Sequence, residues 1–510
     1  MTTFSPSAFG FSENDRETRC FQYFYERTAP ALAGYSGSIF WSPFVLQASQ
    51  REKSIWHAMI AVGSLHENFE NGQGPIGVDL LRHGQDAFTI HEYLIAIRSL
   101  LKPSGMTNNN PIYSTPDCGS FGNVTLDILS GHYASAVNHV RSGIKILREV
   151  YYDARCGTFR HPYLLPSTVS NLEIESIRKI FAYLHSQMAT LTRDEGNFPA
   201  HGPLQMPEVP CFPSEFPESF ISIAEAGNSL DTLKGSYVIH CRNIMHSVSV
   251  GKTYEMPKYL FEQMRLSFPR WCAAFSHFEE SLGYSRELLG FKLIKIHRLH
   301  FMIYYEYAKA SELALYKNET SSFSWDEYND IFAEIVSLAG LVIKTTSATQ
   351  MPLSGCASGS FDSMKQDNEI QPSFCLDNGA LLPLYEVATL CRDPIIRRKA
   401  VSILRSAPRQ EGVFNSHLLA MAAEKAIEIE EAAASGNSLD YDSIITGSKV
   451  EQERNTITKS SEVPDSVRLN YAFPKIDMVK KKISLTIGPS AKKEINIPWP
   501  DLNFLVETAR

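Results

Sequence analysis

Apolar residues recur at spacings of three and four along most of this chain, which is the period of an amphipathic helix. In the first such stretch, 16–32, four side chains share one face: Cys20, Phe21, Phe24 and Tyr25. Ser12 or Asn14 would cap its start, and Pro30 would lie beyond its end. The same spacing predicts helices over 52–69 and 78–101, and then over 171–194, 218–248, 256–281, 284–317, 324–346, 379–391, 394–406 and 413–435. The pattern predicts an all-α chain, built as a large antiparallel helical bundle or stack.

Three stretches rich in proline, glycine and polar residues interrupt the helical pattern, and they predict surface loops at 102–123, 198–217 and 351–371. One large helical region, 16–435, lies between an N-terminal segment, 1–15, that we expect to be disordered and a polar C-terminal region, 436–510. Within that tail, apolar residues alternate on both sides of Gly488 and Pro489, which predicts a small β-hairpin over 479–498. The stretch 131–147 has the glycine, tyrosine and alanine placement of one tetratricopeptide-like hairpin, but no repeat of it follows.

Composition and charge indicate a globular protein and argue against several other classes. The 510 residues carry a net charge of -8 with 44% hydrophobic and 20% charged residues, which is typical of a globular protein and argues against electrostatic nucleic-acid binding by the whole molecule. An N-terminal export signal and long apolar windows are both missing, so we expect neither secretion nor a membrane span. Nine cysteines, none closer than sixteen residues to the next, indicate reduced thiols and exclude paired-cysteine zinc motifs.

Candidate catalytic and metal-binding groups do not converge in the sequence. His57 and His66 are nine residues apart, too far to meet on one helical turn. His297 and His300 could meet, but no acidic or cysteine partner stands near them in sequence. The run 355–360 lacks the pattern of a nucleophile elbow, and no glycine-rich phosphate loop is present. We therefore predict no enzyme activity, no catalytic residue, no cofactor and no metal site.

The stretch 391–412 packs six basic side chains into twenty-two residues, which raises the question of nucleic-acid contact. Asp393 would cap a helix that has Pro394 in its first turn. Apolar residues Ile395, Ile396, Val401, Ile403 and Leu404 would then form its core face. Its solvent face would hold the candidate basic patch: Arg397, Arg398, Lys399 and Arg405. We favour this solvated face, which would give at most a weak, salt-sensitive contact with nucleic acid.

The lysines of the tail carry a second candidate signal. Lys480, Lys481 and Lys482 could serve as a nuclear import signal, although lysines at a hairpin edge also prevent unwanted strand pairing.

Residues 16–69, 131–149 and 374–431 closely resemble, in order and spacing, the regulatory region of the fungal zinc-cluster (Zn2Cys6) transcription factors. The resemblance covers about 16–435. It implies a large all-α regulatory domain without catalytic residues, working in the nucleus with protein partners, in a family that often controls secondary-metabolite gene clusters. Two features depart from the family: the paired cysteines of the zinc cluster are absent, and the polar loop 102–123 stands where the family has a long apolar helix.

The resulting hypothesis is a transcription regulator that lacks its own zinc cluster and reaches DNA only through DNA-bound partners. Two alternatives stay open. The sequence could come from a truncated gene model of an ordinary zinc-cluster factor, or the fold could serve as a helical scaffold or ligand sensor outside transcription, because fold does not fix function.

Overall fold

A computed structural model gives the fold of the protein. It describes residues 14–33, 45–50, 52–71, 87–100, 133–149, 212–213, 215–249, 258–283, 288–317, 323–349, 372–376, 378–406, 408–434, 457–469, 472–477, 482–487 and 493–497, together with short runs or single residues at 41, 105–107, 110–112, 125, 152–153, 158–159, 180–181, 183–184 and 187–188. The prediction of disorder at 1–15 falls largely outside these residues, although Asp15 already belongs to the first helix.

The first described element is a helix whose cap follows from the local sequence. Asn14 accepts a hydrogen bond from the Glu17 amide at 2.9 Å, and its own side-chain amide donates to the Glu17 carboxylate at 2.8 Å. The N-terminal helices are α1 (Asp15–Tyr23), α2 (Ala29–Ala33), α3 (Val45–Ser49), α4 (Lys53–Glu70) and α5 (Ala87–Leu100).

Pro30 lies inside α2, so the prediction that it would follow the end of the first helix is wrong. A π-helical turn, Phe24–Thr28, joins α1 to α2, and the Ala29 amide donates to the Phe24 carbonyl five residues back. Such turns are rare and occur mostly as single-turn bulges inside α-helices, and this one changes the backbone pairing just before the proline. The helical segment therefore continues through Pro30.

The remaining helices follow the predicted periodicity to within several residues at each end. They are α6 (Tyr133–Glu149), α7 (Ile223–Ser249), α8 (Lys258–Ser281), α9 (Leu289–Lys317), α10 (Asn329–Thr349), α11 (Leu381–Leu390), α12 (Pro394–Ser406) and α13 (Ser416–Ala434), with a 3-10 turn at Trp325–Tyr328. The helix expected over 171–194 lies mostly outside the described residues. The predicted all-α class is confirmed.

Helix α8 runs through Pro269, which leaves one helical carbonyl without its usual partner. That carbonyl belongs to Arg265, four residues earlier, and the Tyr305 hydroxyl of α9 donates to it at 2.6 Å. The proline is tolerated because a neighbouring helix supplies the missing hydrogen bond.

Several short strands connect or flank the helices. Strands β1 (Gly105–Thr107) and β2 (Asn110–Ile112) form a ribbon inside the predicted loop 102–123, and β3 (Tyr152–Asp153) pairs with β4 (Thr158–Phe159). Strand β5 (Ser373–Cys375) runs parallel to β6 (Arg409–Glu411), which turns at Gly412, with a φ of 56°, into β7 (Phe414–Asn415). Most of the predicted loops 198–217 and 351–371 lies outside the described residues.

The predicted C-terminal hairpin is confirmed as β9 (Lys482–Ile487) paired antiparallel with β10 (Lys493–Ile497). A third strand that the sequence did not predict, β8 (Ala472–Asp477), pairs with the other edge of β9. Ala472, Ile483 and Leu485 of this sheet are buried in the main hydrophobic core, against α13. The sheet is thus packed onto the helical body.

Helix α9 connects two hydrophobic cores. Leu293, Ile296 and Leu299 face the main core, whereas Phe301 and Tyr305 face a second, aromatic-rich core built with α7 and α8. Within the described part of the chain, no helix has the length and apolar character needed to cross a membrane.

Candidate functional site

The basic stretch 391–412 folds as its local sequence predicts at the start of α12. Pro394 is the first helical residue, and the Asp393 carboxylate accepts hydrogen bonds from the amides of Ile395 and Ile396, each at 3.0 Å. Asp393 is therefore the predicted N-cap. Ile395 is 76% exposed, so its assignment to the core face is wrong.

Arg397 is completely buried, which corrects its assignment to the solvent face of the candidate patch. Its Nη2 donates to Glu430 Oε2 at 2.8 Å and its Nε donates to the Ala388 carbonyl at 3.3 Å. The buried residues of α12 after Pro394 are Arg397, Ala400, Val401 and Leu404. This is the i, i+3, i+4, i+7 spacing of a helix face that packs on the core, and it accounts for the burial of Arg397 despite its charge.

Arg392, which the sequence did not single out, is also completely buried. It lies in the link between α11 and α12, donates to the Leu390 carbonyl, and reaches Glu430 Oε1 at 2.7 Å. Glu430 of α13 thus accepts from two buried guanidinium groups through different oxygens. We refer to Arg392, Arg397 and Glu430 as the buried charge cluster.

The buried charge cluster contains two cations and one anion, and the carbonyl groups at the C-terminal end of α11 add partial negative charge beside it. The last carbonyls of a helix lack partners within it and carry a partial negative charge. Arg392 and Arg397 each donate to one of these carbonyls, at Leu390 and Ala388. Burial lowers the pKa of the Arg392 guanidinium and the Glu430 charge opposes this, and arginine stays protonated in proteins. The cluster therefore caps α11 while pairing with α13.

The opposite end of α11 is held by a charge of opposite sign. Both carboxylate oxygens of Glu411 accept main-chain hydrogen bonds at the helix N-terminus, from Ala380 at 3.1 Å and Leu381 at 2.8 Å. Arg409 Nε donates to the same carboxylate at 2.6 Å. A Cβ on Gly379 would lie 2.1 Å from Glu411 Oε1, so any larger residue there would displace this carboxylate. Helix α11 is thus fixed by an anion at its N-terminus and cations at its C-terminus.

The outer basic residues of α12 are also paired with α13. Arg398 donates through Nη2 to both oxygens of Glu431, at 2.7 and 2.8 Å, and Arg405 forms a bidentate pair with Glu424. The hydrogen bond to Glu424 raises the pKa of Arg405. Lys399 is exposed and forms no ion pair with the residues that the structure describes. Three of the four predicted patch residues are therefore paired with acidic side chains of one helix.

The buried charge cluster also holds the C-terminal part of the chain. The Leu469 amide donates to Glu430 Oε1 at 2.7 Å, and Arg392 Nη2 donates to the Leu469 carbonyl at 2.9 Å. These contacts use main-chain atoms of Leu469, so they constrain the path of the segment more than its sequence. The cluster joins α11, α12, α13 and the C-terminal segment at one point.

The fold brings an acidic partner to His300, although none stands near it in the sequence. Glu386 of α11 bonds to His300 Nε2 and accepts from the Tyr304 hydroxyl at 2.7 Å. His297 Nε2 instead donates to the Asn378 carbonyl at 2.9 Å, and burial lowers the pKa of His297 well below its usual value. The two histidines therefore bind separate partners.

His57 and His66 do not form a common site either. His57 Nδ1 lies 2.6 Å from the Glu92 carboxylate, whereas His66 Nδ1 lies 3.1 Å from the Thr28 hydroxyl. Among the described residues, no group of three or more His, Cys, Asp or Glu side chains is arranged to hold a metal ion.

The candidate import signal is mostly beyond the described residues. Lys480 and Lys481 are outside them, and Lys482 is described only by its backbone, as the first residue of β9.

No family model, no curated protein and no solved structure matches this chain.

Proposed function

We propose that this protein is a transcription regulator of the fungal zinc-cluster type that acts through protein partners and reaches promoters without contacting DNA bases itself. The resemblance of 16–435 to the regulatory region of that family supports the family, and the all-α fold agrees with it. The proposal includes action in the nucleus on a gene set such as a secondary-metabolite cluster, with no cofactor and no catalytic step.

The observation that carries the indirect mode of action is the pairing of the arginines of the basic stretch with acidic side chains of the same protein. Specific DNA binding needs an element that presents base-reading side chains in a groove, together with cations free to meet phosphates. Arg397 points into the protein, and the carboxylates of Glu431 and Glu424 already occupy Arg398 and Arg405. DNA phosphates would have to compete with these intramolecular partners, on a chain of net charge -8.

Promoter capture in cells, compared with binding by the pure protein, tests this proposal. A tagged chain crosslinked in its host should enrich a defined set of promoters, and deleting the gene should change the transcripts of those genes. The purified protein should fail to protect the same promoters in a footprint at physiological salt. Absence from the nucleus, or deletion without any transcript change, would contradict a role in transcription.

A further inference from the structure

Residues 457–469 form a thin segment on the surface of the helical body, which we call the strap. It contains two 3-10 turns, Ser460–Glu462 and Asp465–Val467, and most of its side chains are exposed. Three apolar side chains face inward and are buried: Ile457, Val463 and Leu469. The strap is therefore held by few apolar contacts for its length.

Arg468 organises the strap and attaches it to the body. Its Nε donates to the Val463 carbonyl at 2.8 Å and its Nη2 donates to the Ser460 carbonyl at 3.2 Å, within the strap. The same Nη2 reaches Asp326 Oδ2 at 2.7 Å, in the turn before α10. The Arg468 side chain is 8% exposed and that of Asp326 is 29% exposed, so the arginine of this ion pair is largely removed from water.

Leu469 is the second attachment point. It inserts its side chain into the main core, and its amide and carbonyl bond to Glu430 and Arg392. The body thus binds an extended segment in which a basic residue precedes an aliphatic one. The Asp326 carboxylate binds the basic side chain, the Arg392–Glu430 pair binds the main chain of the aliphatic residue, and the main core receives its side chain. Extended peptides are commonly bound in this manner, with main-chain bonds for affinity and side-chain sites for specificity.

The buried charge cluster can remain paired without the strap. Glu430 still accepts from Arg392 and Arg397, and Arg392 still donates to the Leu390 carbonyl. Release therefore costs the bonds to Leu469, the ion pair between Arg468 and Asp326 and the burial of three apolar side chains. It leaves no charge of the buried charge cluster unpaired, which would be the most expensive outcome in such a site. The C-terminal sheet has its own anchors in the core, Ala472, Ile483 and Leu485, and need not leave with the strap.

We propose that the strap is an internal ligand that covers a docking groove for a partner protein. The groove is lined by Asp326, Arg392 and Glu430, and its partner is an extended segment in which a basic residue precedes an aliphatic one. Such a segment would displace residues 457–469 by making the same contacts. The strap then regulates access to the groove.

A synthetic peptide of residues 457–471 tests the exchange on the full-length chain. Fluorescence anisotropy would measure its binding to the wild-type protein, where the strap competes, and to Arg468→Ala, where the strap is weakened and the groove is intact. We expect the labelled peptide to bind Arg468→Ala at least about tenfold more tightly, because the lost bonds to a charged group are worth a factor of that order. Adding Asp326→Asn should remove the gain.

Arg398→Ala is the matched control, since it removes a partly exposed arginine that bonds to Pro394 and Glu431 and to none of the described residues of the strap. It should bind the peptide like the wild type, and a scrambled peptide should bind none of the proteins better than another. Equal binding of the peptide to wild type and Arg468→Ala would overturn the proposal. A gain that survives Asp326→Asn would also overturn it.

Hydrogen exchange of the wild-type protein gives an independent test in case Arg468→Ala does not fold. The Leu469 amide should exchange at least about a hundredfold faster than the central amides of α11 and α13, because the strap opens without global unfolding. Exchange of Leu469 as slow as that of the two helices would overturn the proposal. Neither experiment uses a transcriptional readout, so their failure would leave the proposed function untouched.

Discussion

Replacing Glu430 with glutamine would remove the only acidic side chain that contacts Arg392 and Arg397 in the described structure. Both guanidinium groups are fully buried, and Glu430 also accepts the Leu469 amide. Breaking a buried ion pair by removing one partner costs about 3–5 kcal/mol, because the remaining charge is left without compensation. With two cations affected, we expect Glu430→Gln to destabilise the protein by at least about 3–5 kcal/mol.

The neighbouring substitution, Glu431→Gln, is the matched control. It removes the same charge from the next residue of α13, but its partner Arg398 has a side chain that is 46% exposed. Exposed ion pairs contribute about 0–1 kcal/mol. Arg397→Met is a second comparison, because it leaves Arg392 and Glu430 as a balanced pair. It should cost less than Glu430→Gln.

Urea unfolding followed by circular dichroism measures these differences. The midpoint should fall strongly for Glu430→Gln and scarcely for Glu431→Gln, with Arg397→Met between them. Equal midpoints for the two glutamate variants would refute the conclusion that Glu430 compensates buried charge. A larger loss for Arg397→Met than for Glu430→Gln would refute the charge imbalance.

Three further predictions concern single residues. Gly379→Ala should destabilise the protein by about 1–3 kcal/mol in the same urea assay, because its Cβ would collide with the Glu411 carboxylate, whereas Gly235→Ala, with open space around the new Cβ, should stabilise α7 by roughly 0.5–1 kcal/mol. Burial lowers the pKa of His66 to about 4, so the unfolded state binds more protons than the folded state between about pH 4 and 6.5, and the stability of the fold should decline as pH falls through that range. His66→Phe should reduce the dependence of the urea midpoint on pH, and an unchanged dependence would count against this role of His66. Burial raises the pKa of the Cys391 thiol to about 12, so iodoacetamide at pH 8 should label it only after unfolding, as peptide mass spectrometry would detect.

Local features of the fold could be predicted from the sequence. The start of α12 depends on Asp393 and Pro394, which are adjacent to it, and the hairpin of β9 and β10 follows from alternation around one turn. Pro30 was misplaced because a π-helical turn carries no clear sequence pattern. Strand β8 was missed because its pairing with β9 depends on tertiary packing against α13.

The polar sites were harder to predict because their partners are distant in sequence. Glu430 follows Arg392 by thirty-eight residues, and Glu386 follows His300 by eighty-six. The prediction that Arg397 faces solvent rests on its charge, whereas its spacing from Ala400 and Leu404 is that of the inner face of α12. A fully buried arginine needs an acidic partner, and only the fold reveals which of the many glutamates supplies it.

Titration of DNA with the pure protein tests most directly the claim that the basic stretch acts inside the molecule. Footprinting at physiological salt, against excess competitor DNA, would compare wild type with a variant carrying Arg398→Ala, Lys399→Ala and Arg405→Ala. The structure predicts no protected site with either protein, since Glu431 and Glu424 occupy the two arginines. One defined site protected by the wild type and lost in the variant would contradict it.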